Sequence, residues 1–137
     1  MSFRIREYHP ADTEAVLELW DSAKSEGFDP VYGLAEVLAS CQKDHAVLAV
    51  ADEKIVGAAV ARAAHEQGWI VLFSTLPSFR RQGIGSSLLA ALEARMAPLG
   101  LTKLSILVPE SQDKSDVLDH AGFVDKNHLK YFEREIP

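Results

Sequence analysis

One stretch limits the folds open to this chain more than any other. The run Trp69-Ile70-Val71-Leu72-Phe73-Ser74-Thr75-Leu76 reads as a buried strand and stops at Pro77. A short basic turn with Arg80 and Arg81 follows, then two glycines, Gly83 and Gly85. From there Ile84, Leu88, Leu89, Leu92 and Met96 recur at helical spacing, until Pro98 and Gly100 end the pattern. A strand, a tight turn and a long amphipathic helix in that order need a sheet for the helix to lie on.

The flanking sequence supplies the rest of that sheet. Phe3-Arg4-Ile5-Arg6 alternates as a half-buried strand does. Asp12 is placed to cap a helix through Ala15, Val16, Leu19 and Trp20. A second helix is expected from Leu34 to Cys41. Strands are expected over His45–Ala51 and Ile55–Ala63, joined by the polar turn Asp52-Glu53-Lys54. After the glycine helix come a strand from Leu101 to Val108 and a helix from Glu110 to His120. Phe123-Val124 and His128–Ile136 read as closing strands. The expected order is β-α-α-β-β-β-α-β-α-β, a mixed α/β fold. With 137 residues, 47% of them hydrophobic, residues 1–137 have the material for a single domain.

Charge excludes some functions and locates another. The net charge is −6, the wrong sign for a general nucleic-acid binder. Only residues 77–109 are net positive, with four basic groups and one acidic, and they contain the glycine turn. A positive island in an acidic chain suits an anionic ligand, although a block of this size also arises by chance. Cys41 is the one cysteine, so no internal disulfide and no CxxC zinc pair can form, which fits a cytoplasmic setting. The five histidines lack metal-ligand spacing, so no metal is expected. The opening residues carry no signal-peptide run, and no apolar stretch is long enough to span a membrane.

The first N–H groups of a helix have no internal partner, and with the helix dipole they attract phosphate. Glycine keeps side chains out of the way. Neither familiar phosphate motif fits, since no lysine follows Gly85 and Leu88 stands where GxGxxG needs its third glycine. On spacing alone an ordinary strand-to-helix turn is an equal alternative. The whole string, Pro77 followed by Arg80-Arg81-Gln82-Gly83-Ile84-Gly85 and Leu88-Leu89, resembles the acetyl-CoA motif of the GNAT superfamily of N-acetyltransferases. The segments FRIREYHPADTEAVLELW, HAVLAVADEKIVGAAVA and VLDHAGF extend the resemblance over essentially the full chain.

The resemblance implies a central, mostly antiparallel sheet flanked by helices, and transfer of an acetyl group from acetyl-CoA to a primary amine by direct attack. It implies that Arg80, Arg81, Gln82, Gly83, Ile84, Gly85 and Ser86 cradle the diphosphate. The pantetheine arm would pair along Ser74, Thr75 and Leu76, where the sheet splays. Ser86 could equally be a plain helix serine. The acceptor is a small-molecule amine, a peptide N-terminus or a lysine. Dimers are common in this fold, so a homodimer is an open option.

Two departures leave the catalytic groups unassigned. The strand from Trp69 to Leu76 has no acid, and Leu118 stands where many members carry a tyrosine acid. Glu66 and His120 are the available titratable candidates, with His65 beside Glu66. Ser111 stands near the family's loop asparagine. A GNAT-fold module that binds acyl-CoA without catalysis is therefore the alternative reading. Asp29 and Tyr32, with Glu36, lie where the family walls its acceptor pocket, and their acids would suit a cationic amine. Trp20 and Trp69 are expected to pack, and Cys41 to be inert.

Overall fold

The computed structural model describes residues 2–25, 31–108, 115–126 and 128–136. Five strands form one sheet in the order β1 (Arg4–Glu7), β2 (His45–Ala51), β3 (Lys54–Ala64), β4 (Gln67–Thr75) and β5 (Lys103–Ile106). The first four pair antiparallel, and β5 joins β4 in parallel. Helices α1 (Thr13–Ser25) and α2 (Leu34–Lys43) precede β2, and α3 (Ile84–Met96) links β4 to β5. Helix α4 (Ser115–His120) follows β5.

The pleat sorts the side chains into two layers. Ala46, Leu48, Ala58, Val60 and Leu72 face α1 and α2, where Val16, Leu19 and Val37 complete one core. Val47, Ala49, Ala59, Ala61 and Ile70 face α3, where Ile84, Leu88, Leu92 and Met96 complete the other. Small residues on β3 let α3 come close. A Cβ on Gly57 would lie 3.2 Å from both Ile84 and Leu88. The β2–β3 turn is tight, with Asp52 and Glu53 at φ 52° and 60°.

Two expectations change. Asp12 does not cap α1. It ends a 3-10 turn from Pro10, and its carboxylate accepts from the His9 N–H at 2.8 Å and from both Arg6 nitrogens at 2.8 and 2.9 Å. The competing partner is a cation on β1, which a local reading of the helix start does not consider. Closing strands are absent among the described residues, where 123–126 and 128–136 run irregularly after α4. Leu129, Phe132 and Ile136 are exposed at 67, 84 and 94%. Alternation proposes a strand, but a strand forms only against a partner edge.

Candidate active site

The sheet forks at β4. Strand β5 pairs with β4 only from Gln67↔Lys103 to Ile70↔Ile106, while β4 runs on to Thr75. Beyond Ile70 the side of β4 away from β3 has no strand partner among the described residues. The fork starts at a bulge: Val60 pairs with Leu72 and Ala61 with Ile70, so Val71 is an extra residue on β4. A bulge bends and twists its strand, which turns β4 away from β5 at that point. The Leu76 N–H donates to the Val56 carbonyl at 2.8 Å. By alternation Ser74 and Leu72 also aim their peptide groups at β3, and Phe73 and Thr75 aim theirs into the fork. The Thr75 carbonyl accepts from Arg80 Nε at 3.1 Å, which ties the basic turn to the end of the open edge.

The glycine turn closes that end of the fork. Arg81 and Gly83 both adopt left-handed backbone, φ 64° and 82°. Such alternation turns successive N–H groups the same way and makes an anion-binding concavity. Arginine holds that conformation at a cost, and strained residues of this kind gather at functional sites. The first intrahelical bond runs from the Ser87 N–H to the Gly83 carbonyl at 3.1 Å, and no side chain caps the helix. The donors of Ile84, Gly85 and Ser86 therefore point outward. A Cβ on Gly83 would meet nothing within 4 Å, and one on Gly85 would meet only the Phe73 ring, at 3.3 Å. Arg80, Arg81, Gln82, Gly83 and Ser86 are exposed, whereas the Ile84 side chain is buried in the core. Ser74 is buried, and its hydroxyl donates to the Leu19 carbonyl at 3.4 Å. Its side chain therefore serves α1.

On the α1–α2 side, the start of the fork has a polar floor. Gly68 and Ile70 face α3, so Trp69 between them faces the other way, beside its β3 partner Arg62. Arg62 donates to Glu36 at 2.7 Å and stands 5.9 Å from the Tyr32 ring centre. Gln67 donates to Ser105 at 2.6 Å, which places β5 Ser105, and with it the exposed Lys103, on the same face. The Trp20 indole donates to the Tyr32 carbonyl at 3.5 Å and fixes the entry to α2. Tyr131 is exposed and donates to Glu133, which raises its pKa. The sequence had not singled out Arg62 or Lys103. The small-residue run around Arg62 was a usable signal, because one cation in the stretch Val56–Ala64, otherwise built of Gly, Ala and Val, needs a purpose.

The proposed catalytic candidates lie elsewhere. Glu66 is in the β3–β4 turn, where its carbonyl accepts from the Thr102 N–H at 2.8 Å. At about 3.3 Å per residue, Val71 is roughly 17 Å further along the strand. That exceeds the span of a side chain with one water. His65 shares that turn, at φ 59°. His120 is exposed at the end of α4, next to Ala121 and Phe123, which line a depression with Glu93, Met96 and Ala97 at the far end of α3. Helix α3 puts about 20 Å between that end and the glycine turn. Asp29 and Ser111 lie outside the described residues. Burial pushes the Cys41 thiol up to about 11, as suits an inert core thiol. No group of three or more His, Cys, Asp or Glu suited to a metal occurs among the described residues.

A forked sheet with an open strand edge and uncapped glycine donors at its mouth is the arrangement expected from the resemblance. The family profile described as Acetyltransferase (GNAT) family matches residues 13–123. The chain belongs to the GNAT acetyltransferase family, and so to the acyltransferases. It is 28% identical over 111 residues to an acetyltransferase of Photorhabdus laumondii, covering 80% of this chain and 77% of that one. Its fold is similar to that of the aminoglycoside 6'-N-acetyltransferase of Acinetobacter baumannii, with a TM-score of 0.75 at 16% identity over 99% of this chain and 100% of that one. It is also similar to the N-acetylglutamate synthase of Neisseria gonorrhoeae bound to coenzyme A and N-acetyl-glutamate, with a TM-score of 0.72 at 16% identity. There it covers 88% of this chain but 28% of the longer synthase. No helix among the described residues is long and apolar enough to cross a membrane.

Proposed function

We propose that residues 1–137 act as one N-acetyltransferase domain that moves an acetyl group from acetyl-CoA to a primary amine. The observation that carries this reading is the fork, with the open edge of β4 ending at uncapped N–H donors. The site fits the co-substrate because a Cβ at Gly83 or Gly85 would stand where a ligand approaches these donors. The outward N–H groups of Ile84, Gly85 and Ser86, with the Arg80 and Arg81 charges, hold the diphosphate. The Phe73 and Thr75 peptide groups pair with the amides of the pantetheine arm and align it along the strand. Bound there, acetyl-CoA supplies an activated acyl carbon: a C–N bond forms, the thioester C–S bond breaks, and a proton passes from the amine to the departing sulfur.

The chain's own contribution is positioning, which alone removes a large part of a bimolecular barrier. The Val71 bulge sits where β4 and β5 part, so the acyl group and the amine meet there, with the amine arriving over the Trp69–Arg62 floor. Tyr32 walls this approach. Glu36 is already paired with Arg62, which takes up the acid that α2 would offer a cationic acceptor. Cys41 is the one cysteine of the chain and is buried without a disulfide, which supports a cytoplasmic location. The test is calorimetry with acetyl-CoA, then thiol release with a panel of amines. Saturable binding with turnover is expected. Binding without turnover of any amine across neutral and basic pH favours the non-catalytic module, and no binding at millimolar acetyl-CoA overturns both.

A further inference from the structure

The floor of the fork carries a charge arrangement that acetyl transfer alone does not require. Resting on the acetyltransferase reading, we propose that Arg62 binds a carboxylate on the acceptor, so that the substrate is an amino acid or another compact amine with a carboxylate a few bonds from its nitrogen.

Arg62 stands alone among the small residues of β3, on the face turned away from α3. Its partner in register is Trp69, two residues before the Val71 bulge. That is about 7 Å along the strand from the point where the sheet opens. A group held at Arg62 and an amine at the fork are therefore separated by a short molecule.

The guanidinium is also prepared for a ligand. Its side chain is 43% exposed, and one nitrogen donates to Glu36 at 2.7 Å. Guanidinium has five N–H donors in a planar fork, and the bond to Glu36 uses one of them. Glu36 and the Tyr32 ring hold it from one side and fix its direction. An ion pair this exposed contributes little to stability, so folding does not account for it. Lys103 lies on the same face, beside Gln67. Among the described residues, Arg62 and Lys103 on this face stand against the Glu36 carboxylate, an arrangement that suits an anion.

The experiment uses the intact protein with saturating acetyl-CoA and matched acceptors: α-amino acids, their amides and the corresponding amines without a carboxylate. Thiol release gives kcat and KM for each. Carboxylated acceptors are expected to exceed their amides at least tenfold in kcat/KM. In Arg62→Ala, KM for carboxylated acceptors is expected to rise tenfold or more with kcat little changed, so that the carboxylate-to-amide ratio in kcat/KM falls about tenfold. Arg62→Lys recovers part of the loss, because it keeps the charge and loses the fork. Acetyl-CoA affinity by calorimetry reports that each variant is folded and its cradle intact. An unchanged carboxylate-to-amide ratio in Arg62→Ala overturns the proposal, as does a wild-type preference for amides or plain amines. Failure to turn over any carboxylated acceptor while acetyl-CoA still binds overturns it too. Failure to bind acetyl-CoA points instead to the reading beneath it.

Discussion

Gly85 separates stability from binding, and replacing it by glutamate tests the cradle directly. The residue lies in the first turn of α3 with ordinary helical backbone, so a side chain adds no φ strain. Replacing a helical glycine gains about 0.5–1 kcal/mol in propensity. A carboxylate at a helix N-terminus adds about 0.3–1 kcal/mol through the dipole. Against these stands one contact, the new Cβ 3.3 Å from the half-buried edge of Phe73, which can tilt to relieve it. Gly85→Glu should therefore melt at or slightly above the wild-type temperature. Binding moves the other way. A carboxylate about 5 Å from a diphosphate charge, at an effective dielectric of roughly 20, costs about 3 kcal/mol. That is two orders of magnitude in affinity, before the Cβ's obstruction of the donors is counted. Calorimetry with acetyl-CoA beside a thermal melt reads both effects. Affinity within about threefold of wild type in a folded Gly85→Glu refutes the placement of the diphosphate.

Three further predictions follow from the geometry. Thr75→Pro removes an N–H that faces the fork and not β3, so the fold should survive while acetyl-CoA affinity falls several-fold; a variant that binds as wild type shows that the open edge is unused. Gly83→Ala forces a left-handed alanine with φ near 82° and should cost about 1–2 kcal/mol, read as a lower melting temperature. Hydrogen bonds from Arg6, and then from the His9 N–H, hold the Asp12 carboxyl below its usual range. A depressed folded pKa gives stability that is present above the unfolded value near 4 and lost as pH falls through the folded value. Wild type should lose stability over that acid range more steeply than Asp12→Asn, and parallel acid profiles contradict this.

The parts of the fold legible in the sequence are those specified by local pattern. Ile84, Leu88, Leu92 and Met96 marked the buried face of α3, and all four are buried. The strands over His45–Ala51 and from Lys54 to Ala64 also followed their apolar runs. What failed depended on partners distant in sequence. The strand read as Leu101 to Val108 pairs only over Lys103–Ile106, because hydropathy does not record where β4 turns away. Asp12 resembled a cap until Arg6 claimed it. Glu36 and Arg62 are 26 positions apart, and the first reads as part of an acidic wall until the second neutralises it. The glycine turn was the reverse case, because a short motif specifies its backbone, and the helix starts uncapped at Gly83 as the motif implies.

The fork has a consequence for the protein before any ligand arrives. Bare peptide groups along a strand edge are a template on which another extended chain can add itself. Whatever fills that edge competes with self-association, and a ligand bound only by the folded state raises its stability by mass action. On the proposed reading acetyl-CoA is that ligand, so added acetyl-CoA should raise the melting temperature and reduce any self-association through the bare edge.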